Sequence, residues 1–107
     1  MILYGLKTCD TCRKALKALT AAGNDVTFVD VRADGIEKAD LQRFQAAFGD
    51  DLLNTRSTTW RGLSEAERSA DPLTLLIDHP TLMKRPVIDH DGALTLGWTA
   101  KVQAGYL

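Results

Sequence analysis

The stretch Ile2-Leu3-Tyr4-Gly5-Leu6-Lys7-Thr8-Cys9-Asp10-Thr11-Cys12-Arg13-Lys14-Ala15 decides the fold. Ile2-Leu3-Tyr4 reads as a short buried strand. From Asp10 to about Ala22 the apolar positions Cys12, Ala15, Leu16, Leu19 and Ala22 recur at helical spacing, with Lys14 and Lys17 on the other face. Gly23-Asn24 supplies the stop. A C-x-x-C thus falls between a strand and the first turn of a helix. The first N–H groups of a helix lack intrahelical partners and carry partial positive charge. A sulfur placed there is favoured as the thiolate, which is the nucleophile. Lys7, Arg13 and Lys14 push the same way.

Cys9 is the stronger candidate nucleophile, because it is expected closer to solvent and to the open end of the helix. Cys12 falls one turn in, on the face of Leu16 and Leu19. It reads equally as a resolving thiol or as a small buried apolar residue. Zinc would need four ligands. The chain has no other cysteine, and its two histidines, His79 and His90, lack a metal-binding spacing, so no metal is expected. A permanent disulfide across two residues would close too small a loop to gain much entropy.

Working outward, Val26-Thr27-Phe28-Val29-Asp30-Val31 is rich in β-branched and aromatic residues and reads as a second strand. The long helical crossover makes it a parallel, right-handed neighbour of the first. Ala33-Asp34-Gly35 is a turn. Leu41, Phe44 and Phe48 mark a second helix that Gly49 ends. Asp50 to Trp60 shows no period and carries Asn54-Thr55-Arg56-Ser57-Thr58, a polar run that is either a functional loop or a solvated connector. Ser64-Glu65-Ala66-Glu67 is a capping box. Asp71-Pro72 reads as N-cap and first position of a helix carrying Leu73, Leu76 and Ile77, ending before His79-Pro80. Pro86-Val87-Ile88-Asp89 is a third strand. Asp91-Gly92 turns it into a fourth, Ala93-Leu94-Thr95-Leu96, and Gly97 to Tyr106 has room for a last short helix. The expected fold is α/β: a small mixed four-stranded sheet with helices on both faces.

With 107 residues, 45% of them hydrophobic, the chain has material for one domain with a real core. Two cysteines are too few for a secreted disulfide scaffold. No signal peptide or membrane span is read, and a reducing cytoplasm is the expected setting. A net charge of −1 leaves no electrostatic footprint for direct nucleic-acid binding.

The opening stretch resembles the start of the ArsC/Spx/YffB family of thioredoxin-like proteins. Leu53-Asn54-Thr55-Arg56-Ser57-Thr58 and His79-Pro80-Thr81-Leu82-Met83-Lys84-Arg85-Pro86-Val87 are similar to its two later signatures. Three motifs in order span almost the whole chain. The resemblance implies one thioredoxin-like (glutaredoxin-like) domain over residues 1–107, with a helical insertion at about 36–79 between βαβ and ββα halves. It also implies cytosolic thiol chemistry, no bound cofactor, glutathione as co-substrate, and glutaredoxin as a partner in some members.

The family divides chemically. Its arsenate reductases place a His four residues before the nucleophile, where this chain has Gly5. They hold the oxyanion with three arginines. Arg85 matches one, Asn54 stands where a second is expected with Arg56 close by, and Trp98 takes the approximate place of the third. Spx-like members are redox-sensing regulators that contact RNA polymerase. Asn54-Thr55-Arg56-Ser57-Thr58-Thr59-Trp60-Arg61 and Leu96-Gly97-Trp98 resemble the YffB-like subgroup, regarded as glutathione-dependent thiol reductases. Those commonly keep only the first cysteine, so Cys12 departs from them. By this resemblance Cys9, Cys12 and Arg85 form the catalytic set. Lys7, Thr8, Arg56 and Pro86 are substrate-binding candidates, and Pro86 is expected to be cis beside the reactive thiol.

Overall fold

Residues 1–107 are described by a computed structural model. Strand β1 (Ile2–Gly5) pairs in parallel with β2 (Thr27–Asp30), in the register Leu3 to Phe28 and Gly5 to Asp30. The crossover between them is α1 (Asp10–Ala21). On its other side β1 pairs antiparallel with β3 (Val87–His90), which forms a hairpin with β4 (Ala93–Leu96). The strand order is β2-β1-β3-β4, the mixed sheet expected. The hairpin turns on Asp91 and Gly92, both in the left-handed region at φ 53° and 89°. That conformation matches the twist of the flanking strands, and Asn, Asp and Gly reach it at least cost.

Side chains alternate across a strand, and this sheet has buried residues on each face. Leu3 and Ile88, opposite one another in register, are fully buried with Cys12, Ala15 and Leu19 of α1. Trp98 and Tyr106 pack against the same cluster, Tyr106 closing the last helix, α6 (Ala100–Tyr106). Tyr4 and Val87 point the opposite way and are buried too. Helix α1 stops where the sequence indicated. Gly23 takes φ 93°, and Asn24 donates both its backbone N–H and its side-chain amide to the Leu19 carbonyl, each at 3.1 Å.

The chain divides into two compact units, residues 1–34 with 85–107, and residues 35–84. The second unit holds the helical insertion read at about 36–79 and runs on to Lys84. Its first helix, α2 (Lys38–Phe48), buries Leu41 and Phe44 and ends at Gly49 in the left-handed region. The polar run after it is not a structureless loop. A 3₁₀ turn spans Gly49–Leu52, Leu53 bridges to Met83, and α3 (Thr58–Arg61) starts from a Ser57 cap that accepts the Trp60 N–H at 3.1 Å. α4 (Glu65–Arg68) carries the complete capping box read from Ser64 and Glu67. α5 (Pro72–Asp78) starts at Asp71 and stops at His79, as read. Its buried face differs from the one expected. Leu75 and Leu76 are buried while Ile77 is 46% exposed. With Pro72 fixing the first turn, the phase of the helix brings Leu75 inward, and Ile77 lies about 200° away on the wheel. No helix of the chain is long and apolar enough to cross a membrane.

Candidate thiol site

The turn from β1 into α1 is held at three points. The Cys9 N–H donates to the Leu6 carbonyl at 3.0 Å, and the Cys9 carbonyl accepts from Arg13 at 3.0 Å. The Lys7 N–H donates to the Asp30 carboxylate at 2.9 Å. Cys9 is therefore the N-cap of α1, extended at φ −86° and ψ 119°. Its sulfur is half-buried and forms no capping hydrogen bond of ordinary geometry. The Cys12 N–H is still near enough to favour the thiolate over the thiol. Burial alone pushes the Cys9 thiol up. The Cys12 N–H, the Cys12 thiol and the Arg85 guanidinium outweigh that, and the group lies below the ordinary value of 9.0.

Cys12 behaves oppositely. It is fully buried, and burial, reinforced by the neighbouring Cys9 sulfur, pushes it up to about 11. Two thiols three residues apart are thus driven apart in ionisation, one toward the anion and one toward a neutral donor. Arg85 is half-buried at the entry to β3, and its peptide bond to Pro86 is cis, the geometry the resemblance implied. Pro86 is itself buried, and its carbonyl accepts the Gly97 N–H at 2.8 Å.

The structure thus brings Cys9, Cys12 and Arg85 together. Thr8 is exposed beside Cys9. Lys7 is exposed too, and its side chain lines a cleft with Arg13, Leu16 and Phe28. Arg56 belongs to the other unit, where it lines a polar cavity of about 350 Å³ with Leu53, Asn54, Thr55 and Lys84.

Two residues of the site escaped the sequence reading. Asp30, only 6% exposed, ties the Lys7 backbone to the end of β2. The signal was an Asp closing a strand just before a turn, a residue type that binds backbone N–H groups two and three positions on. Gly5 is the second. A Cβ built there would stand 2.5 Å from the Cys12 sulfur and 3.1 Å from its Cβ. A glycine inside a strand marks close approach, and here the approaching atom is the second thiol. Gly5→Ala is therefore expected to displace Cys12 and to destabilise the fold by about 1–3 kcal/mol. In urea denaturation, Gly5→Ala combined with Cys12→Ala should recover most of that loss. Equal costs with and without the Cys12 sulfur would disprove the coupling.

The ArsC family model matches residues 4–104. An uncharacterized protein of Haemophilus influenzae is 40% identical over 104 residues, 92% of this chain and 91% of that protein. The Global transcriptional regulator Spx 2 of Bacillus anthracis is 25% identical over 104 residues, 92% of this chain and 79% of the regulator. Among solved structures, a YffB protein superposes with a TM-score of 0.87 at 32% identity, covering 99% of this chain and 97% of that one. An arsenate reductase (ArsC) related protein from Brucella melitensis superposes at 0.75 with 36% identity, covering 98% and 92%.

Proposed function

The chain belongs to the ArsC family, and from that premise we propose that it is a thiol–disulfide reductase, with Cys9 as nucleophile and glutathione as co-substrate. The observation that carries the reading is the placement of Cys9 as the N-cap of α1 beside Arg85, with Cys12 buried one turn in. The opposed ionisation of the two sulfurs, Cys9 lowered and Cys12 raised, follows from it. The Cys9 thiolate attacks one sulfur of a disulfide. A new S–S bond joins Cys9 to that sulfur, the old bond breaks, and the departing thiolate leaves with the electron pair. Arg85, held against Cys9 by charge and hydrogen bonding, stabilises the attacking anion and is placed to attract a carboxylate of an incoming thiol.

A second thiolate must then release Cys9. Burial is the largest cause of the high Cys12 value, and it persists after Cys9 has lost its charge. Cys12 is therefore a poor nucleophile at neutral pH, which favours glutathione as the resolving thiol and gives Cys12 the part of a hydrogen-bond donor to the Cys9 anion. The first glutathione attacks the Cys9 sulfur, so that the substrate leaves as a thiolate and Cys9 is joined to glutathione. A second glutathione attacks the glutathione sulfur of that bond, departs with it as the oxidised dimer and restores the Cys9 thiolate. Glutaredoxin could supply the same electrons, and a reducing cytoplasm is the setting that would provide either.

The test is glutathione-dependent reduction of a small disulfide by the Cys12→Ser protein. Activity should remain within about tenfold of the parent, and the pH midpoint of Cys9 alkylation should lie below 9.0. A trapped Cys9 adduct that glutathione cannot release would transfer the resolving role to Cys12. Turnover of arsenate with glutathione would make the chain an arsenate reductase instead. Recovery of RNA polymerase with no turnover of either kind would make it a redox-sensing regulator.

A further inference from the structure

A cleft of about 280 Å³ is lined by Lys7, Arg13, Leu16 and Phe28. Its position follows from residues already fixed. Lys7 lies two residues before Cys9 with its backbone held by Asp30, and Arg13 lies one turn after Cys9 with its N–H on the Cys9 carbonyl. Leu16 follows on α1 one turn later. Phe28 stands opposite Leu3 in the parallel register of β1 and β2. Leu16, Phe28 and Cys9 all pack against the same buried cluster of Leu3, Cys12, Ala15, Leu19 and Ile88. The floor is thus set by the core and exists before any ligand arrives.

The lining chemistry is mixed in an ordered way. Leu16 and Phe28 are half-buried apolar surface, while Lys7 and Arg13 are exposed. Lysine and arginine lay their aliphatic stems along apolar surface and keep their charges in water. The cleft is accordingly apolar inside and cationic at its mouth. Asp10, the one acid in the first turn of α1, is ion-paired with Arg13. The Asp30 carboxylate near Lys7 is buried and taken up by three backbone N–H groups, which leaves the exposed Lys7 ammonium as the cation at the mouth. The charge left over is positive and calls for an anion.

The lining narrows the occupant more than the size does. At about 280 Å³ the cleft lies at the small end of ligand sites, which run from about 300 to 1,000 Å³, and its Leu16 and Phe28 floor suits an apolar side chain. Glutathione, whose cysteine is flanked by glycine and a glutamyl group, has no side chain to fill it. A peptide with a bulky apolar residue beside its cysteine does.

We propose that this cleft is a subsite for the oxidised substrate, taking the apolar side chain next to the disulfide of an acidic cysteinyl peptide while Cys9 attacks the peptide sulfur. The proposal rests on the reading of Cys9 as nucleophile. It adds that the disulfide substrate is a peptide or protein segment with an apolar residue and a carboxylate close to its cysteine. The step balances as a single exchange: the peptide sulfur bonds to Cys9, and its former partner departs as a thiolate.

The experiment uses the full chain and three short peptides, Cys-Leu-Glu, Cys-Leu-Lys and Cys-Gly-Gly, each carried as its mixed disulfide with thionitrobenzoate. Every attack on the peptide sulfur releases one coloured thiolate, so the first exchange is followed without an added reductant. Cys-Leu-Glu should react about tenfold faster than Cys-Gly-Gly, the gain expected from partly burying one leucine side chain, and faster than Cys-Leu-Lys. Leu16→Trp, which fills the cleft, should erase the preference for leucine. Lys7→Glu should turn the preference from Cys-Leu-Glu toward Cys-Leu-Lys, with Lys7→Gln, which adds no charge facing Asp30, losing the distinction between the two. Alkylation of Cys9 by iodoacetamide in each variant reports whether the nucleophile itself has changed. Rapid but equal reaction of all three peptides, or a leucine preference that survives Leu16→Trp, overturns the subsite and leaves the thiol chemistry standing. Sluggish alkylation of Cys9 with no thiolate release from any peptide overturns both.

Discussion

Cys9→Ser is expected to abolish thiol exchange and, at the same time, to raise the melting temperature. The chemical loss follows from the nucleophile. A serine hydroxyl in this setting has no general base beside it, and the helix terminus and Arg85 cannot ionise it near neutral pH, so exchange should fall by at least ~10³-fold. The gain in stability follows from the position. Cys9 occupies the N-cap of α1 in extended geometry without a normal capping hydrogen bond. Serine is among the preferred residues there, because its oxygen accepts the N–H two or three positions on. In this chain that donor is the Cys12 N–H, which already faces the Cys9 sulfur. A formed cap is worth about 0.5–1 kcal/mol, or roughly 2–6 °C for a domain of this size. The two measurements are an exchange assay and a thermal melt of the same preparations. A melting temperature that falls along with activity would show that the sulfur is a structural element rather than a capping position given over to chemistry. The expected pairing is the usual relation between a reactive site and stability, in which the residue best for the reaction is not the residue best for the helix.

The parts of this fold that were legible from sequence are those whose cause is local. The Ser64–Glu67 capping box, the Asp71-Pro72 helix start and the Asp91-Gly92 turn each reside in four or fewer adjacent residues, and each is present. α1 was legible because twelve residues give its period three full turns. The run from Asp50 to Trp60 was not. Its four-residue helix is too short to show a period, although Ser57 three places before Trp60 is a cap pattern that a closer reading would have registered. Its other anchor, the bridge from Leu53 to Met83, joins residues thirty positions apart and leaves no local trace. The site divides in the same way. Cys9 and Cys12 were visible from spacing, and Arg85 and the cis Pro86 from resemblance. The contact of Gly5 with the Cys12 sulfur and the gathering of Lys7, Leu16 and Phe28 around one cleft depend on how β1, α1 and β2 pack, which no window of sequence contains.

Asp30→Asn is expected to be strongly destabilising, and its effect should depend on pH. The Asp30 carboxylate accepts the Lys7 N–H at 2.9 Å on one oxygen, and the Arg32 and Ala33 N–H groups at 2.9 and 2.8 Å on the other. These bonds join the loop that carries Cys9 to the end of β2. The carboxamide can keep one oxygen facing Arg32 and Ala33, but it then turns its NH₂ toward the Lys7 N–H, donor against donor. Lys7, Arg32 and Ala33 are at the surface, so water can reach part of what is released. The cost is therefore set at about 2 kcal/mol rather than a full penalty for every bond, or about 8 °C in melting temperature. The Lys7 and Ala33 N–H groups hold the Asp30 pKa below its ordinary 3.8. A carboxylate lowered in the folded state binds its proton later on acidification than it does in the unfolded chain. Its contribution is thus complete above the ordinary carboxylate value and is lost as pH falls through the folded one. Urea denaturation at neutral pH should separate parent and variant by the full amount, and the gap should narrow below about pH 4. Because the Lys7 N–H anchors the turn before Cys9, the variant should also alkylate at Cys9 more slowly at neutral pH. A difference in stability that stays constant from neutral pH down through the carboxylate range would mean that the Asp30 charge has no part in holding this turn.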